Sequence, residues 1–428
     1  MRKTAALHNL GCKVNAYELE AMQELLEGAG YEIVPFSERA DVYVVNTCTV
    51  TSIADRKSRQ MLHRAKKQNP DAIVVAAGCY AQTGTQVLLE DESVDIILGN
   101  DQKGKLLSVL EAFQGERREQ VINISSVKEY EPLSIERTGE KSRAFVKVTD
   151  GCNQFCSYCL IPYARGRVRS RRVSEVAEEV RRLSCPEVVV TGIHVSSYGS
   201  DFRDGTNLLT LLLALREVPG VERIRLGSLE PRIITPEFIR GLQEIPQLCP
   251  HFHLSLQSGC DETLRRMNRH YSAKEYYESC LRLREALGDI ALTTDVIVGF
   301  PGESEEEFAA SYAFVEKVGF YETHIFKYSR REGTRAAAMG GQVAEEVKAA
   351  RSDALLLLNR KRIRAYEERH IGETLSVLLE EECTENGETY LLGHSKEYIP
   401  VAVRRGAPGE IHTGRAAGFL KEHVMLLS

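Results

Sequence analysis

The sequence lacks any run of 18 consecutive apolar residues, which a helix needs to cross a bilayer, so no membrane span is expected. Its first residues, MRKTAALHNLGCKVN, lack the apolar core and cleavage site of a secretory signal. A cytoplasmic protein is therefore expected, whose eleven cysteines serve as ligands or buried thiols rather than as disulfides. Positive charge is not in excess either. The net charge of -6 excludes a globally basic nucleic-acid binder, though not local basic patches. Against these absences stands an ordinary soluble composition, 43% hydrophobic and 27% charged, in 428 residues that suit two or three domains.

The pattern along the chain predicts an α/β protein. Strand candidates Thr4–Leu7, Val42–Val45, Ile73–Ala77 and Asp95–Leu98 alternate with helical patterns, which implies an open parallel sheet covered on both faces over residues 1–110. In AYELEAMQELLEGAG, Asn15 is the expected helix cap, with Glu18 three residues on and Gly28 and Gly30 as the stop. Residues 111–140 carry mixed charge and turn residues and read as a linker. Six strand candidates follow within 141–342: Ala144–Val148, Val188–Val190, Arg223–Leu226, His253–Leu256, Thr294–Val298 and His324–Tyr328. Helix starts are expected at Thr235-Pro236, Ser272 with Glu275 and Ser304 with Glu307, giving a partial (β/α)6 barrel. A long charged helix is expected over 343–370 and a small antiparallel β-barrel over 371–428, with turns at Asn386-Gly387 and Pro408-Gly409.

The cysteines carry the chemistry. Cys152, Cys156 and Cys159 spell C-x3-C-x2-C in GCNQFCSYC. Three thiolates hold three irons of a cubane iron–sulfur cluster and leave the fourth open to a cofactor or substrate. Zinc would need a fourth ligand, and none stands nearby in the sequence. A second set is spread along the first domain: Cys12, Cys48 and Cys79 each follow a strand candidate. Loops at the carboxyl ends of parallel strands share one edge of a sheet, so these three are expected to converge on a second open cluster. Gly11 and Gly78 directly precede two of them. Cys185, Cys249, Cys260, Cys280 and Cys383 show no ligand spacing and are expected to be structural.

Together, GCKVN, NTCTV, GCYAQ and GCNQFCSYCLIPYARGRVRSR resemble the methylthiotransferase family of radical S-adenosylmethionine (SAM) enzymes, over essentially the whole chain. The final segment resembles the small RNA-binding β-barrel called TRAM. The wording is most similar to the branch that acts on N6-threonylcarbamoyladenosine in tRNA; the sister branches act on isopentenyladenosine in tRNA or on a ribosomal-protein aspartate. The resemblance implies two 4Fe-4S clusters and two molecules of SAM. It implies a one-electron reductant, and transfer of a methylthio group to C2 of an adenosine next to the anticodon. The expected partner is the tRNA anticodon stem-loop, with no DNA and no membrane.

The same resemblance, applied position by position, implies that Tyr158, Thr191, Gly192, Glu230, Gln257, Asp295 and Gly299 hold SAM. Arg165, Arg167, Arg169 and Arg171, with Arg172, crowd the sequence after the cluster loop and are expected to meet RNA phosphates. Two further basic sets are candidates for RNA contact. One is Arg56, Lys57, Arg59, Arg64, Lys66 and Lys67 in the helix after Cys48, and the other is Lys396, Arg404, Arg405 and Arg415 near the end. An electron carrier would instead show four cysteines per cluster, and a zinc-stabilised RNA-binding module would show paired ligands.

Overall fold

Each short β-branched run in the first part of the chain becomes a strand of one parallel sheet. The computed structural model describes residues 3–137 and 142–428. β1 (Thr4–Asn9), β2 (Glu32–Ile33), β3 (Val42–Thr47), β4 (Ile73–Gly78), β5 (Ile96–Leu98) and β6 (Arg118–Gln120) pair in the order β2-β1-β3-β4-β5-β6, all parallel. Val42 and Val44 of β3 pack on Met22 and Leu26 of the helix Lys13–Gly28. Tyr43 and Val45 pack on the other face against Leu62 and Ala65 of the helix Ser52–Gln68. The central strand is thus covered on both sides, which its unbroken apolar run requires. Strand order reverses between β1 and β3, so a crevice opens beyond their carboxyl ends.

Two expectations change here. The first helix starts at Lys13 with Cys12 at the N-cap position and no side-chain cap, and Asn15 lies inside the first turn, where its side chain reaches back to two loops instead of capping. The sheet also runs past residue 110, because β6 pairs with β5. The expected junction at residues 140–141 lies outside the described residues.

The middle of the chain forms β7 (Arg143–Asp150), β8 (Arg169–Ser170), β9 (Glu187–Gly192), β10 (Arg223–Leu226), β11 (His251–His253), β12 (Ala291–Val298) and β13 (Glu322–Lys327). Six of these run parallel, in the groups β10-β9-β7 and β11-β12-β13, and single bridges at Ile224–Leu248 and Leu229–Leu254 join the groups. β8 pairs antiparallel to β7. The helices bury their apolar faces against the strands in one core that includes Val146, Val190, Leu226, Leu254 and Val296. The helix starts fall at Thr235, Ser272 and Ser304, the last two with complete capping boxes. β11 is shifted from the expected His253–Leu256: its regular ladder ends at His253, and beyond it Leu254 and Gln257, the latter at a positive φ of 70°, still bond to β12.

The helix Glu345–Arg369 leads to β14 (Thr374–Glu385), β15 (Glu388–Ser395), β16 (Pro400–Val403), β17 (Ile411–Lys421) and β18 (Val424–Leu427), a closed barrel in the order β14-β15-β16-β18-β17. It is antiparallel except at β16–β18, which pair parallel. Asn386 and Gly387 both take positive φ, 52° and 79°, as a two-residue hairpin turn needs. This barrel docks on the amino-terminal end of the larger one. Arg223 donates to the His394 carbonyl and the Ser376 hydroxyl, and Arg225 donates to the carbonyls of Ser395 and Lys396.

Candidate active site

Cys12, Cys48 and Cys79 follow β1, β3 and β4 at the carboxyl edge of the first sheet, on the crevice created by its order reversal. Their loops touch. A Cβ on Gly11 would lie 2.9 Å from the Cys48 Cβ, so only glycine lets the first loop pass the second. Asn15 ties them further, donating from Nδ2 to the Leu10 carbonyl (2.8 Å) and the Thr47 carbonyl (3.0 Å). Burial, reinforced by the neighbouring thiols Cys79 and Cys12, pushes the Cys48 thiol up to about 11. Cys79 Sγ accepts from Arg165 Nε at 3.1 Å and from Asn100 Nδ2 at 3.6 Å.

Cys152, Cys156 and Cys159 lie in the loop that leaves β7 at the carboxyl rim of the barrel. Burial and the neighbouring Cys156 raise the Cys152 thiol to about 11 and the Cys159 thiol to about 12. Cys156 Sγ accepts from Arg269 Nη1 at 3.3 Å, and Cys159 Sγ accepts from the Ile161 amide at 3.4 Å. Donors fixed at the sulfurs of Cys79, Cys156 and Cys159 suit thiolate ligands, whose orientation and charge such bonds support. All six cysteines are free thiols. The donor set at both positions therefore fits a cluster with three protein ligands.

Around the same rim stand the residues expected to hold SAM. Thr191 and Gly192 end β9, and a Cβ on Gly192 would press on Thr149 of β7 at 2.6 Å. Glu230 is buried and its carboxylate accepts from Arg232 Nε and Nη2 at 3.0 and 2.9 Å. Gln257 lies beyond β11 and forms a single bridge to Val296 of β12. Gly299, at φ 70°, follows β12 and donates its amide to Glu303. Tyr158 packs edge-on against Phe300. Asp295 sits mid-strand, paired in register with His324 of β13, and its Oδ2 lies 3.3 Å from His253 Nε2.

The arginines after the cluster loop require a correction. Arg165, Arg169 and Arg171 are buried, at 0%, 1% and 5% exposure, and present nothing to a phosphate. Their alternation reads as an exposed strand because the acids that neutralise them stand on other elements, and one of them, Glu18, lies 147 residues away. Arg165 pairs with Glu18 and Asp150, Arg169 lies 3.8 Å from Asp150, and Arg171 pairs with Glu179. Arg167 and Arg172 are exposed, their guanidinium groups over Phe155 and Phe202. On the helix after Cys48, Arg56, Lys57, Arg64 and Lys67 face solvent, whereas Arg59 is bonded to the Tyr80 hydroxyl and Lys66 to Asp95. In the terminal barrel Arg404, Arg405 and Arg415 are exposed and Lys396 is half-buried.

Sequence reasoning missed Glu18, Lys103, Lys147, Asp150, Asn100 and Arg269. One signal was readable: Glu18 falls on the apolar stripe of Val14, Tyr17, Ala21 and Met22, and an acid on such a face needs a buried cation. Burial alone would raise the Glu18 carboxyl, but Arg165, Lys103 and Lys147 outweigh it and hold it well below the usual carboxylate range.

A cleft of about 640 Å³ opens between the sheet and the barrel, lined by Tyr80, Gln82 and Thr83 from the Cys79 side and by Leu160, Tyr163 and Arg331 from the other. It is bridged by Arg331, which donates to Asp55 at 2.6 Å and to Thr49 at 2.8 Å. Tyr163 is 53% exposed beside it. Neither this cleft nor a cavity of about 720 Å³, lined by Tyr130, Arg172 and Phe202 among others, has any of the six cysteines in its lining.

A C-x3-C-x2-C loop at the carboxyl rim of a six-unit parallel barrel defines a radical SAM protein, and residues 146–315 match the Radical SAM superfamily profile. Residues 4–99 match the profile described as uncharacterized protein family UPF0004. The chain is 41% identical over 408 residues to the threonylcarbamoyladenosine tRNA methylthiotransferase MtaB of Bacillus subtilis (strain 168), covering 94% of this chain and 90% of that one. It is 36% identical to the tRNA-2-methylthio-N(6)-dimethylallyladenosine synthase of Moorella thermoacetica, covering 89% of this chain and 87% of that one. Among solved structures, the radical SAM methyltransferase TsrM from Kitasatospora setae shares the fold at a TM-score of 0.55 and 16% identity, covering 78% of this chain and 77% of that one. The chain belongs to the radical SAM methylthiotransferase family and is a transferase that uses a 4Fe-4S cluster and SAM.

Proposed function

We propose that this enzyme attaches a methylthio group to C2 of N6-threonylcarbamoyladenosine next to the anticodon of tRNA, using two 4Fe-4S clusters and two molecules of SAM. The observation that carries the reading is the pair of three-cysteine sets, one following β1, β3 and β4 at the carboxyl edge of the first sheet and one in the loop that leaves β7 at the carboxyl rim of the barrel. Cys152, Cys156 and Cys159 would hold one cluster and Cys12, Cys48 and Cys79 the other. With SAM and one electron from a reductant, a cluster with an open iron supplies the radical chemistry that an inert aromatic C–H bond demands.

The chain's own residues do the rest. Thr191, Gly192, Gln257 and Gly299 give backbone and polar groups at the rim for SAM, and Tyr158 with Phe300 gives an aromatic wall for its adenine. A base beside the anticodon lies in a single-stranded loop, so it enters a cleft without opening a helix. Exposed Tyr163, Arg167, Arg56 and Lys57 supply a stacking surface and cations around that entrance. The threonylcarbamoyl target is preferred over isopentenyladenosine because relatives named for it reach 41% and 40% identity, against 36% for those named for the dimethylallyl nucleoside.

Two measurements test this. Anaerobic reconstitution should give about eight irons per chain, falling to about four in the Cys152/Cys156/Cys159→Ala variant, as expected of two cubane clusters and then one. The reconstituted enzyme, offered tRNA carrying either nucleoside, should convert the threonylcarbamoyl one, read by mass spectrometry of the digested RNA. Conversion of only the isopentenyl nucleoside would move the chain to the sister branch, and about four irons in the wild type would remove the second cluster.

A further inference from the structure

The two cysteine triads come from different domains, yet one buried side chain touches the supports of both. Arg165 ends the short helix Ile161–Arg165, which begins two residues after Cys159. Its guanidinium is fully buried between the barrel and the first sheet, with partners in both. A guanidinium has five N–H groups, and here each has work. Nε donates to Cys79 Sγ (3.1 Å). Nη1 donates to Glu18 Oε1 (2.7 Å) and to Asp150 (3.2 Å). Nη2 donates to Asn15 Oδ1 (2.8 Å) and Glu18 Oε2 (3.0 Å).

The partners extend the reach. Asn15 holds the Leu10 and Thr47 carbonyls, just before Cys12 and Cys48. Asp150 accepts from the Gly151 amide, just before Cys152. Asn100 donates both to Cys79 Sγ and to the Ala164 carbonyl. Arg165, Lys103, Lys147 and Arg169 set four positive charges against the three of Glu18, Asp150 and Asp101, all within a connected set of ion pairs. One positive charge is left over beside Cys79.

Stability alone does not explain the arrangement, because a buried ion pair is often no better than apolar packing of the same volume. A donor aimed at a sulfur does more: hydrogen bonds to cluster sulfurs tune potential, and partners behind the ligands orient them. We propose that Arg165 is a positioning residue for methylthio transfer, which locks the Cys12–Cys48–Cys79 site to the Cys152–Cys159 loop and raises the reduction potential of the cluster held there. The proposal rests on the two-cluster reading above.

The test uses the full chain, anaerobically reconstituted, as wild type, Arg165→Lys and Arg165→Gln. Lysine keeps the charge but loses the fork. In both variants the reduction midpoint of one cluster, followed by electron paramagnetic resonance, should move down, more for glutamine, while the midpoint of the other cluster keeps its wild-type value. Product formation on tRNA should fall about 10- to 100-fold, in kcat rather than in KM. Wild-type midpoints and wild-type kcat in both variants would overturn the proposal. If both variants take up no iron at all, Asn100→Ala decides, since it removes the second donor to Cys79 and leaves the Arg165 ion pairs in place. A smaller downward shift of the same midpoint supports the proposal, and an unmoved midpoint overturns it. A wild type with only about four irons fails the underlying reading first, visibly and separately, and this proposal with it.

Discussion

A single glycine shows how tightly the residues around the first cysteine triad are set. Gly78 ends β4 at φ 95°, directly before Cys79, and a Cβ there would lie 2.3 Å from Asn46 Oδ1 and 2.8 Å from the Thr47 carbonyl. Gly78→Ala should therefore cost about 2 kcal/mol or more through strain and clash. It should also displace Cys79, so that iron falls from about eight toward about four per chain. Denaturant unfolding and iron analysis would check both, and wild-type values for the pair would contradict the geometry. At this scale the placement of the cysteines just beyond strands was legible, because it depends only on local sequence. The arginines were not. Arg165 and Arg171 look identical to exposed cations until the fold brings up Glu18 from 147 residues away and Glu179 from the neighbouring helix. Long-range charge neutralisation leaves a mark only on the other partner, as the acid on an apolar stripe.

At the scale of elements, local chemistry predicts helix starts well and strand limits less well. Ser272 accepts from the Glu275 amide while Glu275 reaches back to the Ser272 amide, as their spacing implied. Ser272→Ala should cost about 1 kcal/mol of stability and leave iron content and methylthiolation as in the wild type, measured by denaturant unfolding beside a product assay. A loss of product equal to the loss at Arg165 would mean that the helix Ala273–Leu287 matters to the site in a way its cap does not explain. Asn15 fails as a cap because stronger partners claim it: two carbonyls and a guanidinium hold its amide inside the first turn. The parallel pairing of β16 with β18 was beyond reach for another reason. Sequence order and short turns favour neighbours pairing antiparallel, and only closure of the barrel puts these two side by side.

The whole molecule joins three units, and one joint carries a pH signature. The terminal barrel offers Glu380 to Arg143 of β7 and to His394 Nδ1 at 2.6 Å, on the interface where Arg223, Arg225 and Glu187 also meet. Burial would raise the Glu380 carboxyl, but hydrogen bonds from His394 and Arg143 outweigh it and hold it at about 2, against an ordinary 4.5. A carboxyl depressed on folding stabilises fully above its unfolded value. That contribution fades as pH falls from about 4.5 and is gone below about 2. At pH 3.5, one unit below the unfolded value, roughly 1 kcal/mol should be lost, and somewhat less after solvent screening of a partly exposed pair. Glu380→Gln removes the titrating group, so its stability should be lower than wild type at pH 6, and the gap should narrow by about that amount at pH 3.5. Thermal unfolding of both proteins at the two pH values measures it. A gap that stays constant would mean that Glu380 contributes by packing alone, and that the terminal barrel is held by the arginine–carbonyl bonds of Arg223 and Arg225.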